Sequence, residues 1–135
     1  MNKIEHIGIA VKNLEESINL YENLLGISCY KREDIISESV TTAFFKTGES
    51  KIELLGATSK DSVIAKYIEK KGEGIHHIAF EVNDIFAEIE RLKKLDFIFV
   101  NDIPKKGAEH KIICFLHPKT TNGVLIELCQ EILTQ

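Results

Sequence analysis

Four side chains in this sequence of 135 residues are suited to hold a divalent cation together: His6, Glu53, His77 and Glu127. Imidazole nitrogen and carboxylate oxygen form a donor set that borderline first-row ions accept. Two carboxylates offset the charge of the ion, so a buried site carries no large uncompensated field. A six-coordinate ion held by four such ligands keeps two positions for water or substrate, which is the arrangement of a Lewis-acid centre. A single strand histidine is more often a hydrogen-bonded structural residue than a ligand. The case for a metal therefore rests on how the four residues recur along the chain.

They recur as a repeat. Aligning His6 with His77, an offset of 71, lays HIGIAV on HIAFEV. Asn13 then falls on Asp84, each in place to cap a helix. The helical apolar positions Leu14, Ile18, Tyr21 and Leu24 fall on Ile85, Ile89, Leu92 and Leu95. Phe44 and Phe45 match Phe115 and Leu116. A turn three residues longer in the second half carries IELL onto IELC, so Glu53 matches Glu127 at an offset of 74. With hairpin signals at TGES and TTNG, each half reads as strand, helix and about three strands. The expected fold class is α+β, with tandem βαβββ modules over about 1–57 and 74–131 of one domain spanning 1–135. A short helix over about 62–71 joins them, capped by Asp61 or Ser62 and ended by Gly72.

Successive strand side chains point to opposite faces. Ile7, Ile9 and Val11 therefore oppose His6, Gly8 and Ala10, and Ile78, Phe80 and Val82 oppose His77 and Ala79. Ile52 and Leu54 oppose Glu53, while Val124, Ile126 and Leu128 oppose Glu127. In all four strands the polar candidate points away from the face that packs on a helix, and small Gly8 and Ala79 leave room beside the imidazoles. His76 shares the helix side and is expected to pack there, with Glu5 in its place in the first half.

Composition bounds the remaining possibilities. With 44% hydrophobic residues, two prolines and no low-complexity run, the chain is expected to be ordered from Lys3 to about Cys129. No segment has the length and apolarity of a membrane span, and the start lacks a signal-peptide pattern. Cys29, Cys114 and Cys129 form neither an even set nor a CxxC pair, which argues for reduced thiols and a cytoplasmic location. A net charge of −4 excludes a basic nucleic-acid-binding domain. Locally, however, Lys105, Lys106, Lys111 and Lys119 stand against Glu109, leaving +3 around PKKGAEHK and HPK. That balance suits an anionic small ligand, or equally a solvated loop.

The repeat with HIGIAV, KIELLG, GEGIHHIAFEV and FLHPKTTNGVLIEL resembles the vicinal oxygen chelate superfamily over essentially the whole chain. Within it, DSVIAKYIEKKGEGIHHIAFEV and HPK followed by GVLIEL are similar to the methylmalonyl-CoA epimerases. The resemblance implies a homodimer of curved half-barrels with helices on the outer face and a cobalt, manganese, zinc or nickel ion. It also implies interconversion of the 2R and 2S forms of methylmalonyl-CoA, with His6, Glu53, His77 and Glu127 as metal ligands. Proton removal at C2 yields an enolate that a Lewis acid on the thioester oxygen stabilises, and Glu127 is the first candidate to carry the proton.

Some relatives bear a further glutamate on the strand that here reads SVTTAFF. Thr41 and Thr42 occupy it in this chain, which leaves Glu53, water or another residue as the second proton carrier. Lys105, Lys106, Lys111, His117 and Lys119 are the candidates for coenzyme A. A glyoxalase-type lactoylglutathione lyase uses the same kind of ligand set, and a non-catalytic small-molecule-binding protein of this fold is the third reading.

Overall fold

The computed structural model describes residues 1–133. The chain forms two compact units, one of residues 6–76 and one of residues 1–5 together with those from His77 onward. Elements in chain order are β1 (Lys3–Val11), α1 (Leu14–Leu25), β2 (Lys31–Ile35), β3 (Val40–Thr47), β4 (Ser50–Ala57), α2 (Val63–Lys71), β5 (Gly74–Glu81), α3 (Ile85–Lys94), β6 (Phe99–Lys106), β7 (Lys111–Leu116) and β8 (Ile126–Glu131). Among the described residues, no helix is long and apolar enough to cross a membrane.

In the unit of residues 6–76 the strand order is β2-β3-β4-β1, antiparallel except for the parallel pair of β1 and β4. The Asn13 side chain accepts from the Glu16 amide at 3.0 Å and starts α1. Gly26, at φ 69°, ends it in the left-handed region that a residue without Cβ adopts at least cost. The helix lays Leu14, Ile18, Tyr21 and Leu25 on buried Val11, Ala43, Phe45 and Leu54. Leu24, expected in that stripe, is 69% exposed, because a 3.6-residue period running through positions 14, 18 and 21 arrives at 25. Close approach of α1 to β4 needs Gly56, where a Cβ would stand 3.0 Å from Leu14 Cβ.

Helix α2 departs from the expected layering. Ser62, rather than Asp61, caps it by accepting from the Ile64 and Ala65 amides, and the Gly72 amide closes its end on the Ile68 carbonyl. Its Ile64, Tyr67 and Ile68 pack on Ala10, Val40 and Leu55. By strand register these three residues share the face of His6 and Glu53, so α2 is not on the outer face with α1. The reason is local: that end of the face carries only small or apolar side chains and needs a cover.

In the other unit the order is β5-β8-β7-β6, with β5 and β8 parallel and the other pairs antiparallel. Asp84 caps α3 through the Ala87 amide at 3.1 Å. Ile85, Ile89 and Leu92 pack with Val82, Cys114, Leu116 and Leu128. Leu95 is 59% exposed at the helix end, and Phe97 packs against this cluster. Strand β8 begins at Ile126, so Val124 precedes it. Edge strand β6 is irregular, with register shifts on both sides of Asn101.

The apolar clusters under the three helices are close-packed, and a buried side chain truncated there leaves a cavity. Ile85→Ala should lower unfolding free energy by about 2–5 kcal/mol in urea melts. Leu24→Ala, on the exposed side of α1, should stay within about 0.5 kcal/mol of the parent.

Candidate metal centre

Each unit contributes one buried imidazole and carboxylate in contact. In the first, His6 Nε2 lies 3.1 Å from Glu53 Oε2. Register sets Gly8 beside Glu53 on one neighbouring strand and Phe44 on the other, so the carboxylate sits between an absent side chain and an aromatic wall. In the second, His77 Nε2 lies 3.3 Å from Glu127 Oε1, with Ala79 and Phe115 in the corresponding places. The His77 ring meets Phe115 edge-on at 5.7 Å between centroids. All four polar residues are at most 6% exposed. Buried carboxylates are tolerated only when paired or coordinating, so each pair presents a nitrogen and an oxygen donor held together in a dry environment. Both pairs lie on the strand faces turned away from α1 and α3, as the period-2 alternation requires.

His76 has the different role expected of it. Its ring packs edge-on against Tyr67 at 4.9 Å, and the Tyr67 hydroxyl donates to the Ile75 carbonyl at 2.8 Å. Burial, reinforced by nearby Lys71, lowers the pKa of His76 to about 4, so it is a neutral packing residue at pH 7.

The candidate coenzyme A contacts are not one cluster. Lys105 and Lys106 lie within β6 and pair with Ile113 and Ile112, whereas His117 and Lys119 follow the far end of β7. At about 3.3 Å per strand residue the two groups are roughly 15 Å apart. His117 Nδ1 accepts from the Lys119 amide at 3.0 Å and begins the 3-10 turn Pro118–Thr120. Lys111 is buried, with its Nζ 4.0 Å from the carboxylate of buried Glu5. Hydropathy and charge counts treat Lys111 as a surface cation, and nothing local marks Glu5 as its partner.

Two further features of the first unit escaped the sequence reading. Strand β2 places Lys31 and Glu33 opposite Phe44 and Thr42, on the same face as Glu53. Thr42 is buried, and its hydroxyl donates to the Glu33 carbonyl at 3.2 Å. The signal that could have found these residues is the alternation in KREDI, which carries no apolar face strong enough to announce a strand.

The model of the glyoxalase/bleomycin resistance protein/dioxygenase superfamily matches residues 5–115. An ethylmalonyl-CoA/methylmalonyl-CoA epimerase of Cereibacter sphaeroides is 40% identical, covering 96% of this chain and 98% of the relative. A mitochondrial methylmalonyl-CoA epimerase of Dictyostelium discoideum is 39% identical over 95% of this chain and 78% of its own length. The chain belongs to the methylmalonyl-CoA epimerase family of this superfamily. A methylmalonyl-CoA epimerase solved with methylmalonyl-CoA and NH4+ superposes with a TM-score of 0.91 at 32% identity, covering all of this chain and 98% of the other. The α+β class with tandem βαβββ modules is thus the fold of a solved epimerase. A probable lactoylglutathione lyase of Vibrio cholerae is more distant, at 28% identity over 96% of this chain and 91% of the relative.

The three thiols divide by environment. Burial, with a further contribution from Glu127, pushes Cys114 up to about 12 and raises Cys129 further, whereas Cys29 is only half-buried. A thiol reagent at pH 8 should therefore modify one cysteine per folded chain, Cys29, and all three after denaturation, as read by mass spectrometry.

Proposed function

We propose that the protein is a metal-dependent epimerase interconverting (2R)- and (2S)-methylmalonyl-CoA. The observation that carries this reading is the pair of buried, repeat-related contacts, His6 with Glu53 and His77 with Glu127. The two imidazoles and the carboxylate of Glu127 are a donor set that could hold a metal ion, Glu53 is proposed as the fourth ligand, and cobalt, manganese, zinc and nickel all accept such donors. Membership of the epimerase family supplies the substrate class, an acyl-CoA with an acidic hydrogen between a thioester and a carboxylate.

When bound, the ion supplies Lewis acidity toward the thioester oxygen. His6, Glu53, His77 and Glu127 would hold it, and the carboxylate of Glu127 accepts the C2 proton. The C2–H bond breaks and its electron pair delocalises onto the thioester carbonyl. Return of a proton to the opposite face inverts the centre. Phe44 and Phe115 flank the carboxylates and limit the access of water to them. The exposed Lys105, Lys106, His117 and Lys119 remain the proposed contacts for coenzyme A phosphates, whereas Lys111 is buried against Glu5. The active form proposed is a cytoplasmic homodimer, in keeping with the resemblance and with three free cysteines.

Incubation with methylmalonyl-CoA in deuterated water tests this reading. The C2 hydrogen should exchange and the two epimers should equilibrate. Turnover of the glutathione hemithioacetal without C2 exchange would instead assign a lactoylglutathione lyase.

Elemental analysis should find about one first-row ion per chain. Removing it with a chelator, or introducing His77→Ala, should lower kcat by about 10²–10³, the range for losing an electrostatic stabiliser of the transition state. Full activity of the metal-free protein would refute the metal dependence, and a metal-free, inactive protein as purified would favour a binding role.

A further inference from the structure

The proposed substrate carries a carboxylate on the reacting carbon, and neither the ion's action on the thioester oxygen nor the coenzyme A contacts assign that group. A carboxylate drawn toward a face of buried side chains needs a cation to answer it. Strand register within the unit of residues 6–76 supplies one. Paired residues on neighbouring strands share a face, so Lys51 of β4 stands beside His6 of β1 on one side and Lys46 of β3 on the other. The next row along that face is Gly8, Glu53 and Phe44. Two residues of strand separate the rows by about 7 Å, a span that the flexible four-carbon stem of a lysine can bridge.

Like charges directly opposite each other on an antiparallel pair are destabilising, and Lys46 with Lys51 is such a pair. The two differ in setting: Lys46 is exposed, whereas Lys51 is half-buried next to an imidazole and a carboxylate that are almost wholly buried. Lys31, a third cation on this face, has the Glu33 carboxylate 3.3 Å from its Nζ. Glu53 lies 3.1 Å from His6. Once Glu53 serves an ion, the row of His6, Lys51 and Lys46 keeps the two lysine charges, which suits an anion arriving beside the His6–Glu53 contact.

We propose that Lys51 binds the free carboxylate of a malonyl-type thioester and makes the protein selective for acyl groups that carry one, with Lys46 adding to the positive field; this rests on the epimerase reading. Position favours the carboxylate over a phosphate of coenzyme A. The phosphates are a whole pantetheine arm away from the thioester, whereas the carboxylate is attached to C2 itself and Lys51 is one row from Glu53. The carboxylate keeps its charge from substrate through enolate to product. Lys51 therefore contributes binding that is equal in the ground state and the transition state.

The test compares metal-loaded wild type with Lys51→Met, which keeps an unbranched side chain and removes the charge. Calorimetry measures the affinity for methylmalonyl-CoA and for propionyl-CoA, the corresponding thioester without the carboxylate. Losing a hydrogen bond to a charged group should weaken methylmalonyl-CoA binding about 10- to 100-fold, with propionyl-CoA within about twofold of wild type. KM should rise by a similar factor while kcat stays within about threefold, the pattern of lost uniform binding. Lys51→Arg should recover part of the affinity, and metal content should be unchanged in both variants. Equal weakening of the two thioesters, or methylmalonyl-CoA affinity within about twofold of wild type, would overturn the assignment. A fall in kcat at unchanged KM would put Lys51 on the enolate oxygen instead, and loss of metal or of folding in both variants would give it a structural role; either also overturns the assignment. Wild type that exchanges no C2 hydrogen would refute the epimerase reading alone, because the affinity comparison needs no turnover.

Discussion

A carboxylate buried in a β-sheet is stable only with a partner that answers its charge, and this protein buries Glu53 and Glu127 each against an imidazole and Glu5 against Lys111. That constraint organises the rest of both units. Glu53 and Glu127 are tolerated in their strands because the alternation of side chains gives the opposite face to α1 and α3, which supply the apolar packing. The same alternation confines the polar pairs to one face. Energetically the two faces do different work: the face under α1 and α3 supplies apolar burial, and the other holds the two imidazole–carboxylate contacts.

The internal repeat explains why the arrangement is economical. Asn13 and Asp84 start equivalent helices, Gly8 and Ala79 open equivalent space, and Phe44 and Phe115 wall equivalent carboxylates. The modules differ where chemistry and packing differ. In the first, α2 seals one end of the polar face with Ile64, Tyr67 and Ile68. In the second unit the buried residues include the ion pair of Glu5 with Lys111. One location is closed by hydrophobic contact, and the other unit hides its charges by pairing them. The edge strands also diverge: β2 presents Lys31 and Glu33 to the face of Glu53, whereas β6 is irregular.

Much of this was legible in the linear chain because it depends on short-range periodicity. Strand parity at HIGIAV, KIELL, HIAFEV and LIEL separates polar from apolar faces with no knowledge of the fold, and the repeat marks His6 with Glu53 and His77 with Glu127 as equivalent pairs. Caps at Asn13, Asp84 and Ser62 depend on local backbone groups and were equally accessible, as was the packing role of His76. The periodicity was less informative at helix ends, where Leu24 and Leu95 turned out to be exposed.

What tertiary structure alone decided is which distant side chains neutralise or cover one another. Lys111 looks like a surface cation by composition, and only folding brings Glu5 against it. Glu33 looks like one acid in a polar run, and only the pairing of β2 with β3 puts it on the face of Glu53. The layer of α2 was settled by apolar residues on three separate strands, Ala10, Val40 and Leu55, whose shared face no local pattern records. Periodicity and capping act over a few residues and are written in the chain; desolvation and charge pairing act between segments, and are resolved only when the sheet is assembled.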